Sequence, residues 1–230
     1  MTAGREGGDP AAAAVFGARL PVAERYARSL ATDGVVRGLI GPREAPRLWE
    51  RHLLNCAVVA ELIPPAASVT DVGSGAGLPG VALAVARPDL TVTLVEAKER
   101  AAAYLTEVVR LLDLADQVAV VRSRAEECAD RLRPADVVTA RALAPLDRLA
   151  AWCLPLAAVG TGRVLALKGS SVEDEIAAHT AAVRRLGGGA PVVRSCGADL
   201  LAEPTTVVEI RREREPARPR NRGRGSGRRG

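Results

Sequence analysis

Aromatic side chains are nearly missing from this chain of 230 residues: Phe16, Tyr26, Trp49, Tyr104 and Trp152 are the full set. A strand-borne platform on which RNA bases stack needs several of them close together, so the composition argues against a simple RNA-binding module. Long apolar runs are also lacking, and nothing in the sequence is expected to cross a membrane. The stretch from Met1 to Pro10 holds acids and glycines instead of a basic segment leading into an apolar one. No secretory signal is therefore expected, and the expected location is the cytoplasm. Cys56, Cys128, Cys153 and Cys196 stand far apart, make no CxxC pair and have no histidine at ligand spacing. That argues against a zinc site and a disulfide framework, and leaves reduced thiols packed in a core; no metal is expected.

About half of the chain is apolar, with 48% hydrophobic residues, enough for one full core and most simply one domain. The net charge of +5 is unevenly placed. From Arg211 to Gly230 nine arginines face two glutamates, a contribution of +7, so residues 1–210 sum to −2. The expected organisation is a domain over 1–210, with a helical part over 1–64 and a core over 65–210, followed by an Arg-rich tail over 211–230. That tail has almost nothing apolar to bury and is expected to be disordered. As a polycation it would hold RNA without reading its sequence; a solubilising end of no specific function is the alternative.

The stretch Val69 to Gly80 reads as strand, turn and helix: a β-branched run ends at Asp71, glycines follow, and an apolar segment runs from Val81 to Ala86. Gly73, Gly75 and Gly77 can take positive φ and carry no Cβ, which suits close approach of backbone to a ligand. Gly75, Gly77 and Gly80 also fit GxGxxG, and Glu96 lies where a ribose-binding acid belongs, so a dinucleotide stays open. So does a purely structural turn. The Asp71 carboxylate would oppose a pyrophosphate, whereas S-adenosylmethionine carries a sulfonium and an ammonium and no phosphate, which favours the methyl donor.

Upstream, residues 11–31 suggest one or two short helices, and a second helical pattern runs from Arg47 to Leu62, where Arg51 and Asn55 share a face with His52 beside them. Downstream, strand and helix alternate. Strands are expected at Thr91–Val95, Val118–Val121, Asp136–Thr139, Arg163–Leu167, Pro191–Ser195 and Thr205–Arg211, and helices at Lys98–Leu112, Leu146–Leu156 and Val172–Leu186. Repeated βα units imply an α/β fold, a mostly parallel sheet with helices on both faces. Ligands then sit beyond the carboxyl ends of the strands, where Asp71, Glu96, Glu126, Arg141 and Lys168 fall.

Five segments together carry a resemblance: Arg51-His52-Leu53-Leu54-Asn55, Asp71 to Gly80, Ser123-Arg124-Ala125-Glu126-Glu127, Ala140-Arg141-Ala142 and Leu167-Lys168-Gly169. In this order they resemble the bacterial small-subunit (16S) ribosomal RNA guanine-N7 methyltransferases, also called glucose-inhibited division protein B, over about Arg47 to Ile210. Phe16-Gly17 and Gly41-Pro42-Arg43-Glu44 look like the actinobacterial form. The resemblance implies a Rossmann-like class I methyltransferase fold with seven strands, the last antiparallel, and a target guanine in the decoding region of 16S ribosomal RNA, alone or in the small subunit. It also implies that S-adenosyl-L-methionine contacts Gly73, Leu78, Ala125, Glu126 and Arg141; Asp71, Gly75, Gly77 and Glu96 complete the cofactor-binding candidates. Arg51, His52 and Asn55 are the substrate-binding candidates.

Guanine N7 already offers a lone pair, so no general base is expected, and catalysis should come from in-line alignment. Arg124 and Lys168, with Arg141, are candidates to hold guanine O6 or flanking phosphates; the alternative for each is an ion pair with a neighbouring acid such as Glu126. Rival functions are a methyltransferase acting on another RNA, a small molecule or a protein, a dinucleotide-dependent oxidoreductase, and a non-catalytic ribosome-assembly factor.

Overall fold

A computed structural model describes residues 10–169 and 172–216. Seven strands form one sheet: β1 (Ser68–Val72), β2 (Thr91–Glu96), β3 (Val118–Arg122), β4 (Val137–Arg141), β5 (Arg163–Leu167), β6 (Val192–Cys196) and β7 (Thr205–Arg211). Their spatial order is β3-β2-β1-β4-β5-β7-β6. Pairing is parallel from β3 through β5, and β7 runs antiparallel to both of its neighbours. The order reverses beside β1, between β2 and β4, which puts the ligand crevice of such a sheet at the end of β1.

Successive residues of a strand point to opposite faces, and the core divides accordingly. Val69 of β1, Val137 of β4 and Leu165 of β5 pack in one cluster with Tyr26, Val81 and Leu105. Their strand neighbours Val72, Val138 and Val164 pack in the other with Leu146, Leu149 and Val183. The first cluster belongs to α1 (Pro10–Phe16), α2 (Leu20–Ser29), α3 (Asn55–Ala57), α4 (Gly80–Ala86) and α5 (Glu99–Leu111); the second belongs to α6 (Leu146–Cys153) and α7 (Val172–Arg185). α4 is apolar all round, and everything in it from Gly80 to Val85 is buried, as expected of a helix covered on every side. Each Val or Leu so buried contributes about 1.5–3 kcal/mol relative to exposure.

The expected helix from Arg47 to Leu62 is helical but not uniform. It comprises a 3-10 turn at Ala45–Arg47, a π-helical segment at Trp49–Leu54, α3, and a 3-10 stretch at Val58–Leu62. Apolar spacing signals a helix, and it does not resolve which hydrogen-bond register the backbone adopts.

The expected tail begins too early. β7 runs to Arg211, and Arg212 is buried, its guanidinium donating to the carbonyls of Pro155 (2.8 Å) and Ala157 (2.6 Å) and to Glu215 (2.8 Å). Composition counts arginines without showing that one of them satisfies carbonyls at the end of the 3-10 turn Leu154–Leu156. The rest of that tail, residues 217–230, lies outside the described residues. Among the described residues, no helix is long and apolar enough to cross a membrane.

Candidate active site

The glycine turn between β1 and α4 folds back on the protein. The N–H groups of Gly73 and Ser74 donate to the Val95 carbonyl (2.9 and 3.2 Å), and those of Gly77 and Leu78 donate to the Ser74 carbonyl (2.6 and 3.1 Å). The Gly75 N–H donates to Glu96 Oε2 (2.9 Å). These five amides are therefore engaged inside the protein, which leaves the turn little to offer a pyrophosphate. The glycines are needed for space and backbone conformation. Gly73 has φ +70°, and a Cβ there would lie 2.5 Å from Leu143 Cδ1. Gly75 has φ +55° and only the Gly73 carbonyl, at 3.8 Å, near its missing Cβ; it lines an open cavity that a side chain would fill.

Asp71 is fully buried. The strand pleat turns it toward α4, where Oδ2 accepts the Gly80 N–H (3.1 Å) and Oδ1 accepts the Thr139 hydroxyl (2.9 Å). Burial pushes its carboxyl up to about 6, against the lowering effect of those hydrogen bonds. As a cofactor-binding candidate Asp71 is therefore corrected: it clamps the helix start and does not line the cavity. Gly77 and Leu78 are likewise absent from the lining. A Cβ on Gly77 would lie 2.6 Å from Val81 Cγ2 and 2.8 Å from the Tyr26 hydroxyl, and Leu78 is buried ahead of a cis peptide to Pro79.

The cavity, about 460 Å³, opens past the ends of the parallel strands. Its walls are Gly73 and Gly75, Glu96 to Lys98 after β2, Ser123 to Glu126 after β3, and Arg141 to Leu143 after β4, with Gly38, Leu39 and Trp152 contributed from outside the strand ends. Glu96 accepts the Gly75 and Lys98 amides, one on each oxygen (2.9 and 2.8 Å). Each oxygen retains a further lone pair, the acceptor capacity that a ribose diol requires. Glu96, Arg124, Ala125, Glu126 and Arg141 are thus brought together in the lining of one cavity.

A second cavity of about 770 Å³ is lined by Arg47, Glu50, Arg51, His52 and Asn55 on one side and Leu200 to Glu203 on the other. It too is lined by Arg141, which forms part of both cavities. Arg141 donates to His52 Nδ1, to Cys56 Sγ (3.2 Å) and to the Arg51 carbonyl (3.4 Å). His52 Nε2 lies 3.0 Å from Glu44 Oε2. Burial, and then the Arg141 charge, hold the His52 imidazole below its ordinary value, against the raising effect of Glu44. Lys168 lines neither cavity. Its Nζ donates to Glu175 (2.7 Å) and to the Ala144 carbonyl (3.0 Å), the ion-pair alternative with a different acid from the one anticipated.

Sequence reasoning missed Tyr26, Thr139, Gly38, Leu39, Leu143 and Trp152. Tyr26 read only as an apolar helical position, although buried tyrosines seek a partner for the hydroxyl, and here it donates to the Ala76 carbonyl (2.8 Å). Gly38 and Leu39 carried no signal, because their place beside the glycine turn is set by tertiary packing.

Comparison with known proteins agrees with this architecture. A family profile described as GidB, rRNA small subunit methyltransferase G, matches residues 19–201. A protein of Salinispora tropica named ribosomal RNA small subunit methyltransferase G is 63% identical over 228 residues, covering 95% of this chain and 94% of its own. Proteins of the same name from Corynebacterium efficiens and Streptomyces coelicolor are 56% and 55% identical, covering 89% and 85% of this chain and 88% and 81% of their own. Among solved structures, an S-adenosyl-L-methionine-dependent methyltransferase of Methanococcus maripaludis superposes with a TM-score of 0.56 at 13% identity, over 84% of this chain and 94% of that one. Mitomycin 7-O-methyltransferase does so with 0.54 at 21%, over 83% and 67%. The solved structures share the class I methyltransferase fold, the sequence relatives share more than half of their residues, and the chain belongs to the GidB family, the rRNA small subunit methyltransferases G.

Proposed function

We propose that this protein transfers the methyl group of S-adenosyl-L-methionine to N7 of a guanine in the 16S RNA of the small ribosomal subunit. The observation that carries the reading is the shared wall: Arg141 lines both the strand-end cavity and the second, mixed-charge cavity, so a donor in one and a base in the other would meet beside it. The residues present fit the donor. Gly75 leaves a cradle that a Cβ would fill, Glu96 presents two acceptors, and the turn's engaged amides disfavour the phosphates of a dinucleotide.

When bound, the donor supplies an electrophilic methyl that a ring nitrogen lone pair attacks without first losing a proton. The chain's residues then have to bind, orient and exclude water, the effects that supply about 7–11 kcal/mol in well-aligned reactions. Gly73, Gly75, Glu96, Ala125 and Glu126 hold the donor. Arg47 and Arg51 suit flanking phosphates. Glu50 and Glu203 in the lining of the second cavity are carboxylates of the kind that accept from guanine's N1–H and exocyclic amine, contacts that would leave N7 free to react. Arg141, which lines both cavities, presents a donor suited to O6. Because side chains cannot reach N7 in the deep groove of A-form RNA, the guanine must be unpaired or turned out of its stack.

Incubation with labelled S-adenosyl-L-methionine and small subunits lacking the modification, or their naked RNA, followed by mapping, tests this. One added methyl at N7 of a single guanine is expected. Label on another base, or none on either substrate, would overturn the assignment.

A further inference from the structure

We infer that His52 is a positioning residue that holds the Arg141 guanidinium at the seam of the two cavities, and that it does so only as the neutral Nε2–H tautomer. The inference rests on the proposed function for its catalytic consequence and on geometry alone for the tautomer. A guanidinium carries five N–H donors and no acceptor, so the His52 Nδ1 that meets it must present a lone pair. The ring proton of the neutral imidazole is then on Nε2, which donates to Glu44 Oε2 at 3.0 Å. Glu44, on the turn before the Ala45–Arg47 segment, thereby orients the ring that orients an arginine at the far end of β4.

The other acceptors on Arg141 are weaker. Cys56 offers a thiol sulfur and Arg51 a carbonyl at 3.4 Å, so the imidazole nitrogen is the main anchor of the guanidinium head. The charged groups around the ring are Glu44 before it, Arg51 beside it on its own segment, Arg141 from β4, and Arg47, Glu50 and Glu203 around the cavity. A second proton on His52 would set an N–H against the N–H of Arg141 and a cation against a cation. The guanidinium would then leave the seam. As pH falls, methyl transfer should decline as His52 becomes charged, although the attacking guanine nitrogen has no proton to lose.

The test uses the full chain labelled with nitrogen-15. It has two histidines, so a His179→Gln variant assigns the ring signals of both. Long-range proton–nitrogen spectra at neutral pH should show His52 with an unprotonated Nδ1 and a protonated Nε2, titrating below the ordinary histidine value of about 6.5, and Arg141→Met should raise that midpoint. An Nδ1–H tautomer, or a midpoint indifferent to Arg141→Met, would overturn the inference. In the functional arm, His52→Leu should lose about ten-fold or more in kcat with a smaller change in KM for RNA. His52→Asn, whose amide oxygen can replace Nδ1, should recover most of that loss and no longer show the acid decline. Equal loss in both folded variants would reject the acceptor role. The spectra need no RNA, so a failure of ribosomal RNA methylation would strike the proposed function while leaving the tautomer result to stand or fall by itself.

Discussion

The Tyr26 hydroxyl donates a 2.8 Å hydrogen bond to the Ala76 carbonyl, fastening α2 to the glycine turn across fifty residues of sequence. Tyr26 is fully buried, and its neighbour along the same helix, Ser29, shares a 3.1 Å hydrogen bond with the Tyr104 hydroxyl of α5. Tyr26→Phe keeps the ring and strips the Ala76 carbonyl of its donor, which costs about 1–3 kcal/mol at a buried acceptor. The variant should melt a few degrees lower and bind S-adenosyl-L-methionine several-fold more weakly. Calorimetric titration and thermal melting check this; wild-type donor affinity would mean that the turn keeps its shape without the helix.

Asp71 gives the protein a pH dependence of defined sign. An aspartate with the ordinary value of 3.8 has released its proton at a pH where the buried Asp71, pushed up to about 6, still holds it. The group's contribution to stability is therefore fully present below about 4 and is lost as pH rises through about 6. In Asp71→Asn this contribution disappears. Urea denaturation of both proteins should show the stability of wild type relative to the variant falling between about pH 4 and 6 and levelling above; parallel curves would contradict the assignment.

Gly73→Val combines two penalties, a branched side chain at φ +70° and a Cβ placed 2.5 Å from Leu143 Cδ1 on the cavity wall. Donor binding should be abolished. A titration at wild-type affinity would remove the glycine turn from the site.

Two truncations separate the parts of the C-terminal segment. Ending the chain after Pro216 retains Arg212 and Glu215 and should leave the melting temperature unchanged while weakening RNA binding and flattening its salt dependence. Ending it after Arg211 removes the guanidinium bonded to Pro155 and Ala157 and should destabilise the fold by about 1–3 kcal/mol. Matching melts for the two truncated proteins, or an unaltered salt slope in the longer one, would contradict these roles.

Much of the sheet was legible because its strands are short β-branched runs between turn residues: β5 and β7 have the expected bounds, and β1 to β4 fall within two residues of theirs. Glu96, Arg124, Ala125, Glu126 and Arg141 were legible for a related reason, since a residue at a strand's carboxyl end has its place fixed by the strand. Asp71 misled because it occupies such a place and yet the pleat turns it inward. Nor does local pattern show that Arg141 meets His52, or that Lys168 pairs with Glu175, because those contacts depend on how layers stack.

All four cysteines are buried, and burial raises the thiols of Cys56 and Cys196 to about 11 and Cys153 higher still. A thiol-selective dye should consequently find no reactive thiolate on the intact protein and label it only as it breathes open. Label located on Cys56, whose Sγ accepts from Arg141 at 3.2 Å, then serves as a clock for motion at the junction of the two chambers, without any engineered reporter.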